Sequence, residues 1–356
     1  MTSLKNFAVR PIAESDLETL FELATSLGPG MTTLPADRNF LDAKIQRSIT
    51  SFSDRTEAAD REYVLVLEDM ASGRVLGTAG VYPRIGAQHG FFSYKRLRLL
   101  HRSSEIDVTA NVELLAVSND YTDATEVGGL AIHPDLKRTG VGRMLARSRY
   151  LLIATDPDRF SPTVMAEMRG WQNEEKRSPF WDAVGGKFFN MDFPAADRLS
   201  AVAGAKFIAD LLPKHSIYVS LLPEDARSAI GRPHSSSAPA MAMLGQEGFR
   251  YEGYVDVFDA GPQVHVERDS IGTVRDSRTG KTAGLADHDE TMPMLVCTTD
   301  FARFRMIYTA TGRFECGLIR LDYEAERALD SSDGTARAVG AARVQETLAD
   351  VASLSE

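Results

Sequence analysis

The chain reads as an α+β protein, a mixed sheet flanked by helices, and three observations predict it. Short apolar runs of strand length are interleaved with longer stretches whose apolar residues recur at helical spacing. Hydrophobic residues make up 43% of the 356 and charged residues 25%, the balance of a soluble globular chain. No run approaches the roughly 20 apolar residues of a membrane span.

The elements follow in order. Val9-Arg10-Pro11-Ile12 is a first short strand. Ser15 and Glu18 are spaced for a capping box, and Leu17, Leu20, Phe21, Ala24 and Leu27 share one face of the helix behind it. Gly28-Pro29-Gly30 stops that helix and Met31 to Pro35 form a loop. Phe40, Leu41, Ile45, Ile49 and Phe52 mark a second amphipathic helix. Tyr63–Leu67 and Val75–Tyr82 read as buried strands joined through the turn Met70-Ala71-Ser72-Gly73. From Ile85 to Ser118 the chain carries Lys95, Arg96, Arg98 and Arg102 beside Phe91, Phe92 and Tyr94. That region reads as a solvated or inserted loop, with an anion contact through arginine as the alternative.

The richest stretch runs from Glu126 to Arg147. Val127, Leu130, Ala131 and Ile132 form a short apolar strand, broken by His133-Pro134-Asp135. Lys137-Arg138-Thr139-Gly140-Val141-Gly142 follows, and Met144, Leu145, Ser148, Leu151 and Leu152 then repeat at helical spacing. A strand passing through a basic glycine turn into a helix suits a phosphate. The glycines admit close approach of backbone, the first helical N–H groups lack internal partners, and the helix dipole adds partial positive charge. The alternative is an ordinary strand-to-helix turn with two solvated bases, because Gly-x-Gly alone is a weak signal. No Gly-Lys-Ser/Thr follows, so this is not a Walker loop, and the third glycine of a dinucleotide fingerprint is missing.

Thr163 to Gly170 reads as the next core strand. Ser178-Pro179 opens a helix that Trp181, Val184 and Phe188 continue, and Ala205 to Leu212 form another. Ile230 to Pro239 is a loop carrying His234 that feeds a helix from Ala240 to Gln246, and Gly248 starts a strand reaching Phe258. Beyond Pro262, Met294–Cys297, Phe304–Tyr308 and Gly317–Leu321 are short strands at turn-separated spacing. They predict a division into residues 1–262 and a small β-rich C-terminal subdomain, 263–356. Gly280 to Glu290 reads as exposed and mobile, and Val344, Leu348 and Val351 suggest a terminal helix.

The net charge of −10 argues against nucleic acid, whose binding needs clustered Lys and Arg. Cys297 and Cys316 are too few for a disulfide framework and poorly spaced for zinc, so no metal is expected. The amino-terminal residues lack the apolar core of a signal peptide, and a cytoplasmic enzyme without membrane attachment is the expectation.

The turn Lys137–Gly142 resembles the coenzyme A pyrophosphate loop of the GNAT superfamily of N-acyltransferases, with Lys137 at a position usually Gln or Arg. The order strand, two helices, hairpin, strand, glycine loop, helix is also that of the GNAT fold. Helix ends at Gly186-Lys187-Phe188 and Gly248-Phe249 share a rough likeness, which leaves open an extended or partly duplicated sheet. Several segments narrow the match. Gly28 to Pro35, Ser118-Asn119-Asp120, Ala166 to Gly170, Ser178 to Trp181, Phe188 to Phe193, Pro213 to Tyr218, Ala238-Pro239-Ala240 with Glu247 to Tyr251, and Phe258 to Pro262 are similar to segments of arginine N-succinyltransferases, in the same order.

That resemblance implies transfer of a succinyl group from succinyl-CoA, as co-substrate, to the α-amine of arginine. It implies His234 as the catalytic acid, although Ser235-Ser236-Ser237 replaces a more usual Pro-x-Thr beside it. It implies Leu130 as a succinyl-CoA contact, and Lys137, Arg138, Gly140, Val141 and Gly142 as the cofactor-binding turn. Ornithine or another amine, and another acyl-CoA, are the enzymatic alternatives; a non-catalytic subunit of a heteromeric transferase is the alternative of another class. A homo-oligomer, or a hetero-oligomer with a similar subunit, is implied as well. On residue chemistry, His133, His215, Glu167 and Tyr218 are further acid/base candidates. Arg169, Arg232, Lys214, Asp120, Glu167 and Asp192 could meet the charges of the succinyl carboxylate and of arginine. Gly128-Gly129 makes irregular backbone at Leu130 plausible, which would aim an N–H at a thioester oxygen.

Overall fold

The computed structural model describes residues 3–27, 33–175, 177–193, 195–196, 210–285 and 290–341. The first strands are Phe7–Pro11 (β1), Tyr63–Asp69 (β2), Val75–Tyr82 (β3), Ser93–Ser103 (β4) and Val108–Ser118 (β5). Next come Thr125–Ile132 (β6), Thr163–Glu167 (β7), Ile217–Tyr218 (β8), Arg250–Asp256 (β9) and Pro262–Glu267 (β10). The last are Arg278–Gly284 (β11), Met292–Thr298 (β12), Met306–Glu315 (β13), Leu318–Leu321 (β14) and Thr335–Gly340 (β15). Helices Leu17–Leu27 (α1), Arg38–Phe52 (α2) and Val141–Thr155 (α3) precede shorter ones at Pro179–Ala183 (α4) and Gly185–Phe189 (α5). The α+β class expected from the pattern is what the chain adopts.

The chain divides into two compact units. Unit one comprises the described parts of Met1–Pro83, Val127–Phe160 and Arg268–Glu356; unit two comprises those of Arg84–Glu126 and Ser161–Glu267. In unit one the strand order is β12-β15-β11-β14-β13-β1-β2-β3-β6. Leu20, Leu23, Leu41 and Ile45 of α1 and α2 are buried against Val64, Val66, Val75 and Ala131 of the sheet. Strand β12 pairs with both β15 and β13, so the five C-terminal strands close on themselves around Met294, Val296, Ile307, Ile319, Leu321 and Ala338. In unit two the antiparallel order is β7-β10-β9-β4-β5-β8. Trp181, Phe180, Tyr94, Leu115 and Val255 lie at its core. Strand β6 gives its first two residues to unit two, where Thr125 and Glu126 pair in parallel with Val164 and Met165.

Five expectations are corrected. The division does not fall at residue 262. Pro262–Glu267 pairs with β7 and β9 inside unit two, and β13 adds to β1 (Ala8 opposite Ile307), which joins the later strands to unit one. The basic region Lys95–Arg102 is not a loop but half of a long hairpin. Strands β4 and β5 pair from Ser93–Ser118 to Ser103–Val108, with Arg96 ion-paired to Glu113 across them. Alternating charges belong on a ribbon whose outer part meets water on both faces; Leu99 and Leu100 there are 42% and 67% exposed. At α1 the cap is not Ser15 with Glu18: the Asp16 carboxylate accepts the Ala13 N–H at 2.8 Å and pairs with Arg10 at 2.7 Å. The helix begun by Ser178, whose Oγ accepts the Trp181 N–H, breaks at Val184 (φ −121, ψ −80) and restarts as α5. Within Gly280–Glu290, residues up to Gly284 extend β11. Residues 28–32 of the Gly28–Pro35 segment, 205–209 of the helix expected at Ala205–Leu212, 286–289, and the terminal helix through Val344, Leu348 and Val351 lie outside the described residues.

Candidate active site

In unit one, β6 leads through His133 and the turn Pro134–Leu136 into the glycine turn, and every residue proposed there to hold a cofactor belongs to this one segment. Leu130 is half-buried on β6. Gly129 before it has φ +57, so the strand leaves the extended conformation where the paired glycines predict irregular backbone, and its carbonyl accepts the Thr78 hydroxyl at 3.1 Å. The His133 N–H is tied to the Leu76 carbonyl at 2.8 Å, anchoring the end of β6 to β3. Buried Leu136 pins the turn, while Lys137 and Arg138 stand exposed. Gly140 caps α3 with φ +87, a left-handed conformation that a side chain at this position would strain. Its carbonyl accepts from Arg143 and Met144, and no side chain caps the helix. Among the described residues the N–H groups of Val141 and Gly142 have no protein acceptor, so they remain available to an anion. Val141, Met144, Leu145, Leu151 and Leu152 are buried, which fixes the helix whose first turn presents those amides.

In unit two, His234 is held by backbone. Its N–H donates to the Arg169 carbonyl at 2.8 Å, Gly170 bridges Pro233, and the Trp171 N–H donates to the Arg232 carbonyl at 3.0 Å. The Gly231 N–H donates to the Ala260 carbonyl at 2.8 Å. The imidazole is half-buried. Ser236 donates its N–H to Nδ1 at 3.2 Å, and its Oγ lies 2.7 Å from the same nitrogen. An Nδ1 without a proton takes the serine N–H, and an Nδ1–H donates to the serine Oγ. Ser236 thus satisfies Nδ1 whether or not that nitrogen carries a proton, and among the described residues Nε2 has no protein partner. The ring is oriented by Ser236, at the variable middle position of the family pattern, and not by Ser235 or Ser237, which depart from it.

Beneath this loop sits a corner of carboxyl groups. Asp259 accepts the N–H of Gly170 at 2.7 Å and of Gly261 at 2.8 Å, and Asp256 accepts those of Phe258 and Asp259 at 2.7 and 2.9 Å. A Cβ on Gly170 would lie 2.4 Å from the Asp259 carbonyl oxygen, so only glycine allows the approach. Glu167 is half-buried, and one of its oxygens accepts the Gln263 Nε2–H at 2.6 Å. Burial, then the charge of Glu126, pushes the Glu167 carboxyl up to about 8, while its bond from Gln263 opposes the shift. Burial and the neighbouring Asp259 and Glu167 push Asp256 well above the carboxylate range. Burial also raises Asp259, against the two backbone N–H groups that favour its ionised form.

The other candidates scatter. Arg169 lies near enough to Asp259 to act on its charge, and Arg232 lies 4.9 Å from the Trp171 ring. Asp120 accepts the Tyr254 hydroxyl at 2.6 Å, and Lys95 donates to that hydroxyl at 2.6 Å. Lys214, His215 and Tyr218 are exposed; exposed Asp192 accepts the Ala195 N–H. His133 belongs to unit one, 3.5 Å from Asp135. Sequence reasoning missed Asp256, Asp259, Gln263 and Glu126 as neighbours of Glu167. The signal for one of them was present, since Asp259 lies inside the matching segment Phe258–Pro262.

A mixed sheet flanked by helices, with a strand that runs through a glycine turn into a helix offering free amides, is the arrangement expected of an acyl-CoA-dependent acyltransferase, and comparison with known proteins bears out that class. The Arginine N-succinyltransferase beta subunit family matches residues 7–273. Over 304 residues, 85% of this chain and 88% of the relative, it is 37% identical to Arginine N-succinyltransferase of Escherichia coli O139:H28 (strain E24377A / ETEC). The same figures hold for the protein of that name in Escherichia fergusonii. Subunit AI of arginine/ornithine succinyltransferase from Pseudomonas aeruginosa superposes with a TM-score of 0.82 at 29% identity, covering 94% of this chain and 99% of that one. The chain belongs to the arginine N-succinyltransferase family.

Proposed function

We propose that this acyltransferase moves the succinyl group of succinyl-CoA onto the α-amino group of L-arginine. The observation that carries the reading is the family match through most of the chain, to relatives named for that reaction. The glycine turn supports an acyl-CoA co-substrate. The Val141 and Gly142 amides would meet the diphosphate, Lys137 and Arg138 would add charge beside it, and Gly140 supplies the left-handed cap that frees those amides. Leu130, next to the irregular backbone at Gly129, would contact the acyl end.

A thioester is attacked only by the neutral amine. Its lone pair forms the new N–C bond, the C–S bond breaks, and sulfur leaves with the electron pair as thiolate. His234 in its cationic form can give the Nε2 proton to that sulfur, leaving a neutral ring whose Nδ1–H rests on the Ser236 Oγ. Ornithine is the second reading, favoured by the name of the Pseudomonas protein. Assembly with further copies or with a similar subunit, and a cytoplasmic location, belong to the same proposal. Among the described residues no helix is long and apolar enough to cross a membrane. Thiol release from succinyl-CoA, measured with and without arginine and then with ornithine and with acetyl-CoA, tests the reading. Arginine-dependent release is expected; a strong preference for acetyl-CoA, or no release with arginine, would sink it.

A further inference from the structure

We propose that Glu167 takes the proton from the substrate's α-ammonium group, with Gln263 as the positioning residue that holds its carboxyl. This rests on the acyl-transfer reading above and names the group that generates the attacking amine. Glu167 ends β7 on the same short segment as Arg169 and Gly170, which hold the His234 loop by backbone bonds. The proposed acid and the proposed base are thus fixed to one piece of backbone. Pairing of β7 with the start of β6 stops at Met165, two residues before Glu167.

The charged groups that act on Glu167 itself are carboxylates. Glu126 acts from the start of β6, Asp256 from the end of β9, and Asp259 from the turn between β9 and β10; Arg169 lies near Asp259. Glu167 itself has no ion-pair partner among the described residues. Among the described residues its hydrogen bond comes from Gln263, a fully buried side chain whose Oε1 has no partner, so the pair is maintained despite an unsatisfied buried oxygen. A half-buried carboxyl in such surroundings gains by meeting a cation, and an ammonium is one. Crowding by like charge and removal from water make the carboxylate a stronger base than a solvated one, better matched to an ammonium proton.

The protons balance. An ammonium becoming an amide gives up two: Glu167 takes the first and passes it to solvent, and the second returns to His234, replacing the one that it delivers to the thiolate sulfur.

The test compares wild type, Glu167→Gln and Gln263→Leu. For Glu167→Gln we expect kcat/KM for arginine to fall about 10²–10⁴-fold, with calorimetric succinyl-CoA binding and the circular-dichroism melt retained. The acid limb of the wild-type pH profile, centred near the raised Glu167 value of about 8, should vanish in Glu167→Gln. In Gln263→Leu it should move to higher pH, because the lost N–H bond favoured the carboxylate. A Glu167→Gln enzyme that keeps both its rate and the acid limb overturns the assignment while the transfer reading stands. A wild-type enzyme that releases no thiol with arginine overturns both.

Discussion

At the turn Lys137–Gly142, two basic side chains stand in water and the proposed anion contacts fall to backbone amides. At the corner of Glu167, Asp256 and Asp259, half-buried and buried carboxyl groups lie close enough to act on one another's charge. The first region depends on shape. Its amides carry no titratable proton near neutrality, and its glycines leave the space. The second depends on protonation, since burial has moved its carboxyls and its geometry is fixed by hydrogen bonds to Gly170 and Gly261. Steric substitutions should therefore damage the turn and leave its pH response alone. Charge-neutral, isosteric ones should do the reverse at the corner.

The largest effect that would break this comparison is on binding. Gly142→Asp should abolish calorimetrically measurable succinyl-CoA binding, through a carboxylate placed against a diphosphate. Gly142→Ala sharpens the point: its Cβ would lie 3.4 Å from Ile132 Cδ1, a tolerable contact, so the fold should persist and any lost affinity reports crowding of ligand. Tight binding by Gly142→Asp would remove the turn from the site. Next, His234→Ala should lower kcat by about 10²–10⁴-fold while succinyl-CoA affinity is kept, read from steady-state rates; an unchanged rate would move the proton donor elsewhere. Asp259→Ala strips acceptors from the N–H groups of Gly170 and Gly261, and should lower stability in urea by about 1–3 kcal/mol for each group left unsatisfied. A loss within error would mean that water replaces the carboxylate.

The pH dependence of stability is the most diagnostic readout. Glu167 has a folded-state value of about 8 against 4.5 for the free side chain, so the folded chain holds that proton more tightly than the unfolded one. Its contribution to stability is greatest below about pH 4.5 and is lost as pH rises towards 8, opposite to an ion-paired carboxylate. The melting temperature of Glu167→Gln relative to wild type should therefore rise between pH 5 and pH 9. A flat difference would say that Glu167 titrates like a solvated acid.

What the sequence disclosed follows the same divide. Strand, glycine turn and helix were legible because their signals are local: an apolar run, left-handed glycine, helical periodicity. The carboxyl corner was not, because Glu126, Glu167, Asp256, Asp259 and Gln263 come from separate stretches and an aspartate does not announce its burial. The β4–β5 hairpin was misread since its alternate positions carry Arg and Lys, which conceal a strand whose outer part is solvated on both faces. The boundary at residue 262 failed for a related reason: nothing in Met306–Glu315 indicates that its partner is the first strand of the chain.

That last pairing bears on how the molecule is made. A nascent chain leaving the ribosome presents β1 early, yet one edge of it waits for Met306 and Ile307, near the far end of synthesis. Until then an apolar strand is open to foreign partners. Chains arrested before residue 306 should accordingly be clients of cellular holdases rather than smaller working enzymes.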